Sequence, residues 1–460
     1  MLKTFCFIIS SLFFLNFSYA ALDLRILHTR PECNHDGHTS AWCTLEDSRA
    51  AEERAGMVKE INRMLDLADS PDSKIYIGYF SFSNKGVFKK LCEKGKEGIS
   101  IEGFFDYDYS KEDQLPLRLK NECQGKNGNN IRVRFLGEKV FKTDPETGEY
   151  ILNPETGERI VDVWRLHHNK FLIVAPGKDK DLSISFSSGN LSAFGTSLHF
   201  DHWVTTVAPY NSQFSKSHKC VVEGLRTAVD DSEAAKDDPD LYKQAFDLCF
   251  EQLNLSYETG LEEDGIYLLN SPNDDGRTED ALIAEIENLG EIARENTNSK
   301  YAIYAAMQNF THDGIARALN KLCRNKQGRV EVNMIMDDDV VLGSSEVPGT
   351  SKFFNAYLKN RENGGKSCIN INFMETNSAV KQMMHNKFIV FTGPNYARSF
   401  SGAGHFTYSG MTHNYENFYV SNGESLVEQY KKLYDYMKKS SVRYDEIVKE
   451  TPKKGAKEFF

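Results

Sequence analysis

Two short stretches of this chain, one in each half, are nearly identical: His168-Asn169-Lys170-Phe171-Leu172-Ile173-Val174 and His385-Asn386-Lys387-Phe388-Ile389-Val390. Each contains the apolar run of a buried β-strand. Because side chains alternate across a strand, the histidine and the lysine at positions i and i+2 face the same side. The pattern therefore predicts a polar site at the edge of a sheet, once in each half.

The sequence before the two stretches also corresponds, which indicates a duplicated chain. In each half an aspartate stands 14 residues after a cysteine, at the end of a predicted strand: Asp106 after Cys92, and Asp337 after Cys323. Strands and helices alternate throughout both halves. The predicted class is therefore α/β, with two similar lobes, each a mixed β-sheet flanked by helices, that share one cleft.

A chain of 460 residues is long enough for two domains with full cores. We expect a signal peptide at 1–20, a first lobe at 21–258 and a second lobe at 259–460. Near repeats at 144–149 and 153–158 predict the turns of a hairpin insertion before the first His-x-Lys stretch. The insertion lies close enough in sequence to shape access to the site, although a surface hairpin without a role fits equally well.

The start of the chain has the pattern of a secretory signal, with Lys3, an apolar run from Phe5 to Leu15 and small residues before a cut after Ala20. The apolar run is shorter than the roughly 20 residues that cross a bilayer. A retained anchor is the alternative interpretation. No later run is apolar enough to span, so the mature chain is predicted to be secreted or periplasmic with no transmembrane segment.

Of the nine cysteines, eight follow the predicted signal, and an even number in an exported chain predicts disulfides. Free thiols are the alternative in a reducing compartment. The sequence-local pairing is one of 105 possible connectivities. Matching positions in the two halves favour the second and the fourth of its bridges, which are Cys33–Cys43, Cys92–Cys123, Cys220–Cys249 and Cys323–Cys368.

The net charge of −11 opposes the approach of this chain to a polyanion such as DNA or an anionic membrane. This composition disfavours a protein that binds nucleic acid avidly and without sequence preference. A local basic groove would override the average.

Two other polar clusters are not interpreted as metal sites. The run Asp337-Asp338-Asp339 lacks the spacing and the glycine of a calcium loop, so we interpret the strand-end aspartates as solvated turn residues. Cys33, His35, His38 and Cys43 do not have a standard zinc spacing, and a disulfide-closed loop is favoured. The sequence predicts neither a metal nor a cofactor.

Small-residue turns follow the two strands, Ser187–Ser192 in the first half and Ser401–Thr407 in the second. They present Asn190 and His405. Phosphoryl transfer needs a nucleophile, a proton donor for the leaving oxygen, and fixed groups that bind the charged oxygens. Two His-x-Lys pairs with Asn190 supply all of these without a metal.

A His-x-Lys motif in each of two lobes resembles the phospholipase D superfamily. The resemblance covers most of the chain after residue 20 and implies that one histidine attacks phosphorus while the other protonates the leaving group. It implies roles for eight residues: His168 as nucleophile, His385 as general acid, Lys170, Lys387, Asn190 and His405 as phosphate-binding groups, and Glu416 and Asp201 as carboxylates that orient the histidines.

The chain departs from the family pattern at three positions. The family places an aspartate seven residues after each motif histidine, where this chain has Ala175 and Thr392. Loss of both resembles the tyrosyl-DNA phosphodiesterase branch. The third is His405, which stands where an asparagine is expected, although a histidine also donates a hydrogen bond.

The resemblance implies an exported, metal-independent phosphodiesterase. Phospholipid headgroups are the favoured substrate, because export and acidic charge suit a lipid better than a polyanion. A nuclease or DNA-end phosphodiesterase, for which nucleic acid is the substrate, is the first alternative. A catalytically decayed scaffold is the second, because of His405 and the absent aspartates. Headgroup preference and oligomeric state stay open.

Overall fold

The structure is a computed structural model that describes residues 21–154, 157–229, 237–273, 275–324, 330–339, 368–443 and 446. The predicted signal peptide at 1–20 lies outside them. The strands among these residues form two eight-stranded sheets, with helices packed against them. The predicted α/β class with two similar lobes is confirmed.

The first sheet has the strand order β1-β8-β7-β6-β2-β3-β4-β5. Its strands, in chain order, are β1 Arg25–His28, β2 Lys74–Tyr79, β3 Ser100–Asp106, β4 Ile131–Phe141, β5 Val161–Leu166, β6 Lys170–Ala175, β7 Leu182–Ser187 and β8 His202–Ala208. The helices of this part of the chain are α1 Ser48–Ala55, α2 Met57–Asp66, α3 Lys85–Lys96, α4 Leu115–Glu122, α5 Gln213–Thr227, α6 Pro239–Gln252 and α7 Tyr257–Glu263.

The second sheet has the strand order β16-β12-β11-β10-β13-β14-β15-β9. Its strands are β9 Ile266–Ser271, β10 Tyr301–Met307, β11 Val330–Asp337, β12 Ile369–Met374, β13 Lys387–Gly393, β14 Tyr396–Gly402, β15 Glu416–Ser421 and β16 Ser441–Arg443. The helices described here are α8 Arg277–Glu295, α9 Asp313–Arg324, α10 Tyr408–Thr412 and α11 Glu424–Lys439.

The two sheets repeat one topology. Reading the second sheet from β9 to β12 gives the same succession of equivalent strands as reading the first from β1 to β4. In each, the strand that begins with the motif lysine runs antiparallel to the first strand of a parallel trio. Lys170 pairs with Tyr79 and Lys387 with Met307, the last residue of β2 and of β10. The duplication therefore places both motifs at equivalent edges.

A continuous apolar core joins the lobes. It contains residues of β6, β7 and β8 from the first sheet, residues of β13 and β15 from the second, and the inner faces of α5, α6 and α11. At its centre the ring of Phe186 stacks on that of Tyr419, with 3.6 Å between centroids. Burying these faces against each other fixes how the motif-bearing edges meet.

Three of the four predicted disulfides are present: Cys33–Cys43, Cys92–Cys123 and Cys220–Cys249. Cys368 is also disulfide-bonded, whereas the side chain of Cys323 lies outside the described residues, so their pairing stays a prediction. Within the described part of the chain, no helix has the length and apolar character to cross a bilayer. The division of the chain at residue 258 also stays a prediction.

Candidate active site

The first motif histidine is paired with a carboxylate from the other lobe. Nδ1 of His168 lies 2.8 Å from Oε2 of Glu416, the first residue of β15. The side chain of His168 is 4% exposed and that of Glu416 is fully buried. When Glu416 is ionised it can only accept, so this contact then keeps the proton on Nδ1 and leaves a lone pair on Nε2. That nitrogen, which lies 2.9 Å from Nζ of Lys170, is the candidate nucleophile.

The second motif histidine repeats this arrangement in the opposite direction. Nδ1 of His385 lies 2.9 Å from Oδ1 of Asp201, which belongs to the first lobe. The hydroxyl of Ser188 donates to the same oxygen at 2.7 Å. Each lobe thus supplies the carboxylate that orients the histidine of the other.

Backbone hydrogen bonds between the lobes explain this exchange. The amide of His168 donates to the carbonyl of Tyr415 at 2.8 Å, and the amide of Tyr415 donates to Leu166 at 2.8 Å. Equivalent bonds join His385 to Phe200 at 3.1 Å and Phe200 to Met383 at 3.0 Å. Tyr415 and Phe200 immediately precede Glu416 and Asp201. The chain ahead of each histidine is therefore bonded to the chain ahead of its carboxylate.

The strand-end aspartates are not the solvated turn residues that the sequence suggested; both are buried, each 2% exposed. Oδ2 of Asp106 accepts from the amide of His167 at 2.9 Å, while Oδ1 accepts from the amide of Asp108 at 3.0 Å. The interpretation was wrong because Asp106 ends β3 beneath the chain that leads to the first motif. Burial acts first on the pKa of this carboxyl and raises it to about 7, against the two amide bonds.

Asp337 does the same in the second lobe. Its Oδ2 accepts from the amide of Met384, the residue before His385, and its Oδ1 accepts from the amide of Asp339 at 3.0 Å. Burial and the neighbouring Asp338 hold its pKa well above the usual value. In both lobes a carboxylate fixes the backbone directly ahead of the motif histidine, and the matched spacing from Cys92 and Cys323 was the sequence signal for it.

Both motif lysines are buried beside the histidines. Nζ of Lys170 lies 2.9 Å from Nε2 of His168, and Nζ of Lys387 donates to the carbonyl of His385 at 2.7 Å. Burial lowers the pKa of Lys170 to about 7, and burial together with Lys170 lowers that of Lys387 well below its usual value. Both amino groups are desolvated, so an anion bound beside them would favour their charged form.

The carboxylates differ in their electrostatics. Burial raises the pKa of Glu416 to about 8, against the opposing effect of Lys170. Burial also acts to raise the pKa of Asp201, but His385 and Lys387 outweigh it, so the pKa is lowered. Burial lowers the pKa of His385 to about 3. Burial, with Lys170 and other cationic groups, holds the pKa of His168 well below its usual value.

His405 lies between the two motif histidines. Its ring centroid is 5.1 Å from that of His168 and 5.7 Å from that of His385. Its Nδ1 is buried and has no hydrogen-bond partner among the described residues. The structure therefore brings the residue that replaces the expected asparagine close to both motif histidines.

Asn190 is buried on the first-lobe side, and its Oδ1 likewise has no partner within the described ranges. It follows Gly189, where an added Cβ would lie 2.9 Å from Cβ of Asp201 and 2.2 Å from the Trp203 ring. Only glycine allows the turn to pass this close to Asp201. No described hydrogen bond joins Asn190 to a motif residue, so its phosphate-binding role stays a prediction.

One residue of the site was missed in the sequence. The ring of His199 lies 5.5 Å from that of His385, and its Nδ1 is 3.7 Å from Oδ2 of Asp201. Its Nε2 lies 2.9 Å from the carbonyl of Lys381. The available signal was its position two residues before Asp201, which puts both side chains on one face of an extended segment.

The positions of the absent aspartates lie away from the cleft. Ala175 ends β6 and pairs with Lys74 at the start of β2, while Thr392 pairs with Ala302 near the start of β10. Seven extended residues from each histidine correspond to roughly 23 Å. Their replacement therefore removes no group from the site.

Comparison with known proteins agrees with this geometry. The family model described as the cardiolipin synthase, phospholipase D-like domain, matches residues 292–438. Phosphatidylserine synthase from Haemophilus influenzae has the same fold over 86% of this chain and 88% of its own, with a TM-score of 0.52 and 11% identity. Residues 292–438 are thus similar to a phospholipase D-like domain, and the solved structure shows that the fold is shared over most of the chain.

Two further solved structures match less closely. Polyphosphate kinase from Porphyromonas gingivalis matches 82% of this chain at 14% identity and a TM-score of 0.46, and this chain spans only 48% of that protein. The phospholipase D family member Nuc from Salmonella typhimurium is 20% identical over 39% of this chain and 97% of its own, with a TM-score of 0.28. No curated protein matches by sequence. Members of the phospholipase D superfamily are phosphodiester-processing enzymes.

Replacing Asp106 with asparagine should loosen the first motif. Both carboxylate oxygens accept an amide proton, and an amide side chain offers only one acceptor, so one N–H is left unpaired. We expect the free energy of unfolding to fall by about 1–3 kcal/mol and kcat to fall by roughly tenfold or more as His168 shifts. Denaturant unfolding and steady-state kinetics measure both.

Asp337→Asn should behave likewise, and Asp108→Asn, the same change at an exposed position two residues on, is the control. Wild-type stability and kcat in Asp106→Asn would contradict the assigned role.

The pH dependence of kcat/KM should follow the lysines. A lysine is charged below its pKa, so a pKa of about 7 for Lys170 means that its charge is lost as the pH rises through 7. We expect kcat/KM to fall above this pH by up to about tenfold per unit, because the free enzyme loses a phosphate-binding charge. Unfolding curves at each pH control for loss of structure, and a constant kcat/KM up to about pH 9 would rule this out.

Proposed function

We propose that this protein is an exported, metal-independent phosphodiesterase that releases phospholipid headgroups through a phosphohistidine intermediate. One observation carries the proposal: two buried histidines, each paired with a carboxylate of the other lobe, lie together with two buried lysines. This arrangement supplies a nucleophile, a proton donor and fixed cations for the phosphate oxygens.

In the first step, Nε2 of His168 attacks phosphorus while the bond from phosphorus to the leaving oxygen breaks. Glu416 holds the proton on Nδ1 and stabilises the positive charge that develops on the ring. His385 transfers a proton to the leaving oxygen, and the Asp201 carboxylate together with the bound phosphate anion favours the imidazolium form that this requires.

In the second step, a water molecule attacks the phosphohistidine. His385, now neutral, accepts a proton from that water as the new oxygen bond to phosphorus forms and the bond to His168 breaks. Lys170 and Lys387 bind the phosphate oxygens in both steps. An alcohol in place of water would give transfer of the phosphatidyl group instead of hydrolysis.

An exposed apolar hairpin supports a lipid substrate. Tyr150, Ile151 and Leu152 are consecutive and 49%, 39% and 53% exposed. They lie in the insertion between β4 and β5, where bridges join Thr143 to Tyr150 and Leu152 to Arg159. Because β5 ends two residues before His168, the hairpin is close in sequence to the site. Consecutive exposed apolar side chains suit insertion into a bilayer surface.

Export is part of the proposal. The three disulfides of the described residues are compatible with an oxidising compartment, where such bonds persist. The predicted signal at 1–20 gives the route.

Nucleic acid is the second candidate substrate. Tyr107 is 63% exposed and directly follows the site residue Asp106. Tyr408 is 60% exposed and lies three residues after His405. Exposed aromatic rings near a phosphodiester site can stack on unpaired bases. The net charge of −11 opposes this alternative.

Substrate and intermediate can be tested together. The protein is incubated with EDTA and either phosphatidylcholine vesicles or single- and double-stranded DNA. We expect choline release from wild type, loss by at least roughly 10³-fold in His168→Asn, and accumulation of labelled phosphoprotein in His385→Asn with an activated substrate. The double variant is the control for labelling.

Cleavage of DNA without choline release would replace the lipid with nucleic acid. Turnover of neither substrate and no labelling would favour a scaffold that has lost catalysis.

The hairpin gives a separate prediction. Changing Tyr150 and Leu152 together to serine should lower the rate on vesicles by about tenfold, because roughly 1.5 kcal/mol or more of membrane burial is lost. The rate on a short-chain phosphatidylcholine dissolved as monomers should change much less. An equal loss on both substrates would mean that the hairpin does not act at the lipid surface.

A further inference from the structure

Three histidines from both lobes converge in the cleft. One nitrogen from each of His168, His385 and His405 lies within 4.8 Å of the others. His168 precedes β6, His385 precedes β13, and His405 follows β14. A set of three imidazoles is a common ligand set for zinc, with the fourth position left to water or another small ligand.

The contacts around these rings are those of a metal site. Nδ1 of His168 lies against Glu416 and Nδ1 of His385 against Asp201, at 2.8 and 2.9 Å. A carboxylate on one nitrogen orients the ring and makes the other nitrogen a better metal ligand. The carboxylates that would serve catalysis therefore also prepare two Nε2 atoms for a cation.

One nitrogen of the third ring has no competing partner among the described residues. Nδ1 of His405 is buried and makes no hydrogen bond to the described residues. Its backbone is held in place, since a Cβ at the preceding Gly404 would lie 2.0 Å from the Phe418 ring. An asparagine at this position would offer a carbonyl oxygen, which is a poorer ligand than imidazole for a transition metal.

We propose that the cleft is a binding site for a zinc-like transition-metal dication held by His168, His385 and His405. The cation occupies the place of the substrate phosphate and uses the lone pair of the nucleophile. Its binding therefore blocks catalysis reversibly, a consequence that rests on the proposed function. Metal binding itself does not depend on turnover.

The charges around the cleft set the strength of the site. Lys170 and Lys387 oppose a cation, and Glu416 and Asp201 offset them. Nζ of Lys170 lies 2.9 Å from Nε2 of His168. It must move away before a cation can bind to that nitrogen. The three ligand nitrogens must also approach one another to a separation of about 3.3 Å for tetrahedral zinc. These costs predict a site that a chelator empties, in contrast to a permanent structural metal.

Cobalt(II) in place of zinc tests the proposal without substrate. Chelator-treated wild type is titrated with Co²⁺, and we expect one equivalent to give the intense visible absorption of tetrahedral cobalt, which Zn²⁺ displaces and EDTA abolishes. His405→Asn should weaken binding by roughly tenfold or more. The matched control is His35→Asn, which removes an imidazole that contacts Asp47 instead of the cleft.

A second variant separates the neighbouring group of His199, Asp201 and His385, whose ligand atoms are equally close. If His199→Asn abolished cobalt binding and His405→Asn did not, the metal would lie in that group and the proposal would be overturned. Absence of a cobalt signal in folded wild type, or equal binding by His405→Asn, would overturn it as well. Zn²⁺ inhibition of choline release, weaker in His405→Asn relative to its own uninhibited rate, tests the functional consequence separately.

Discussion

The site depends on a reciprocal exchange of backbone hydrogen bonds between the lobes. Residues just ahead of each motif histidine bond to residues just ahead of a carboxylate in the opposite lobe. Neither histidine has its orienting carboxylate within its own lobe, so one lobe alone holds an incomplete site. The apolar core shared by the two sheets keeps this seam in register, since packed interiors resist displacement by even a fraction of a side chain.

Such a cluster of buried charges is a poor means of stabilising a protein. Two lysines and two carboxylates lose their hydration, and replacing buried ion pairs with apolar groups is often neutral or stabilising. The surrounding structure must therefore compensate, and it does so with backbone and hydroxyl contacts. Asn417 accepts from the amide of Lys170 at 2.8 Å, and Ser188 donates to Asp201 at 2.7 Å. Charges held at such cost indicate a functional site.

The topology could be predicted from the sequence because the same short strand and helix patterns recur in both halves of the chain. The strands around both motifs, the Cys92–Cys123 bridge and the equivalence of Lys170 and Lys387 all follow from short repeats. The Cys33–Cys43 and Cys220–Cys249 bridges were predicted only from their closeness in the sequence. Asp106 and Asp337 were misinterpreted because an aspartate at a strand end is usually solvated. Only the fold shows that the segment ahead of each motif histidine covers the aspartate and donates a hydrogen bond to it. The exchange of Glu416 and Asp201 between lobes could not be predicted either, since it depends on long-range packing of the two sheets.

The duplication also leaves an asymmetry that bears on the proposed roles. Asp201 has a lowered pKa, so its negative charge acts to raise the pKa of His385, while burial, Lys387 and His199 act the other way and leave that pKa at about 3. Glu416 has a raised pKa, and His168 is surrounded by Lys170, His405 and Lys387, which all oppose its protonation. A ring that keeps its lone pair suits attack on phosphorus, and a ring beside a fixed anion suits proton transfer. The electrostatics thus favour His168 as the nucleophile and His385 as the acid, a division that two identical half-sites could not make.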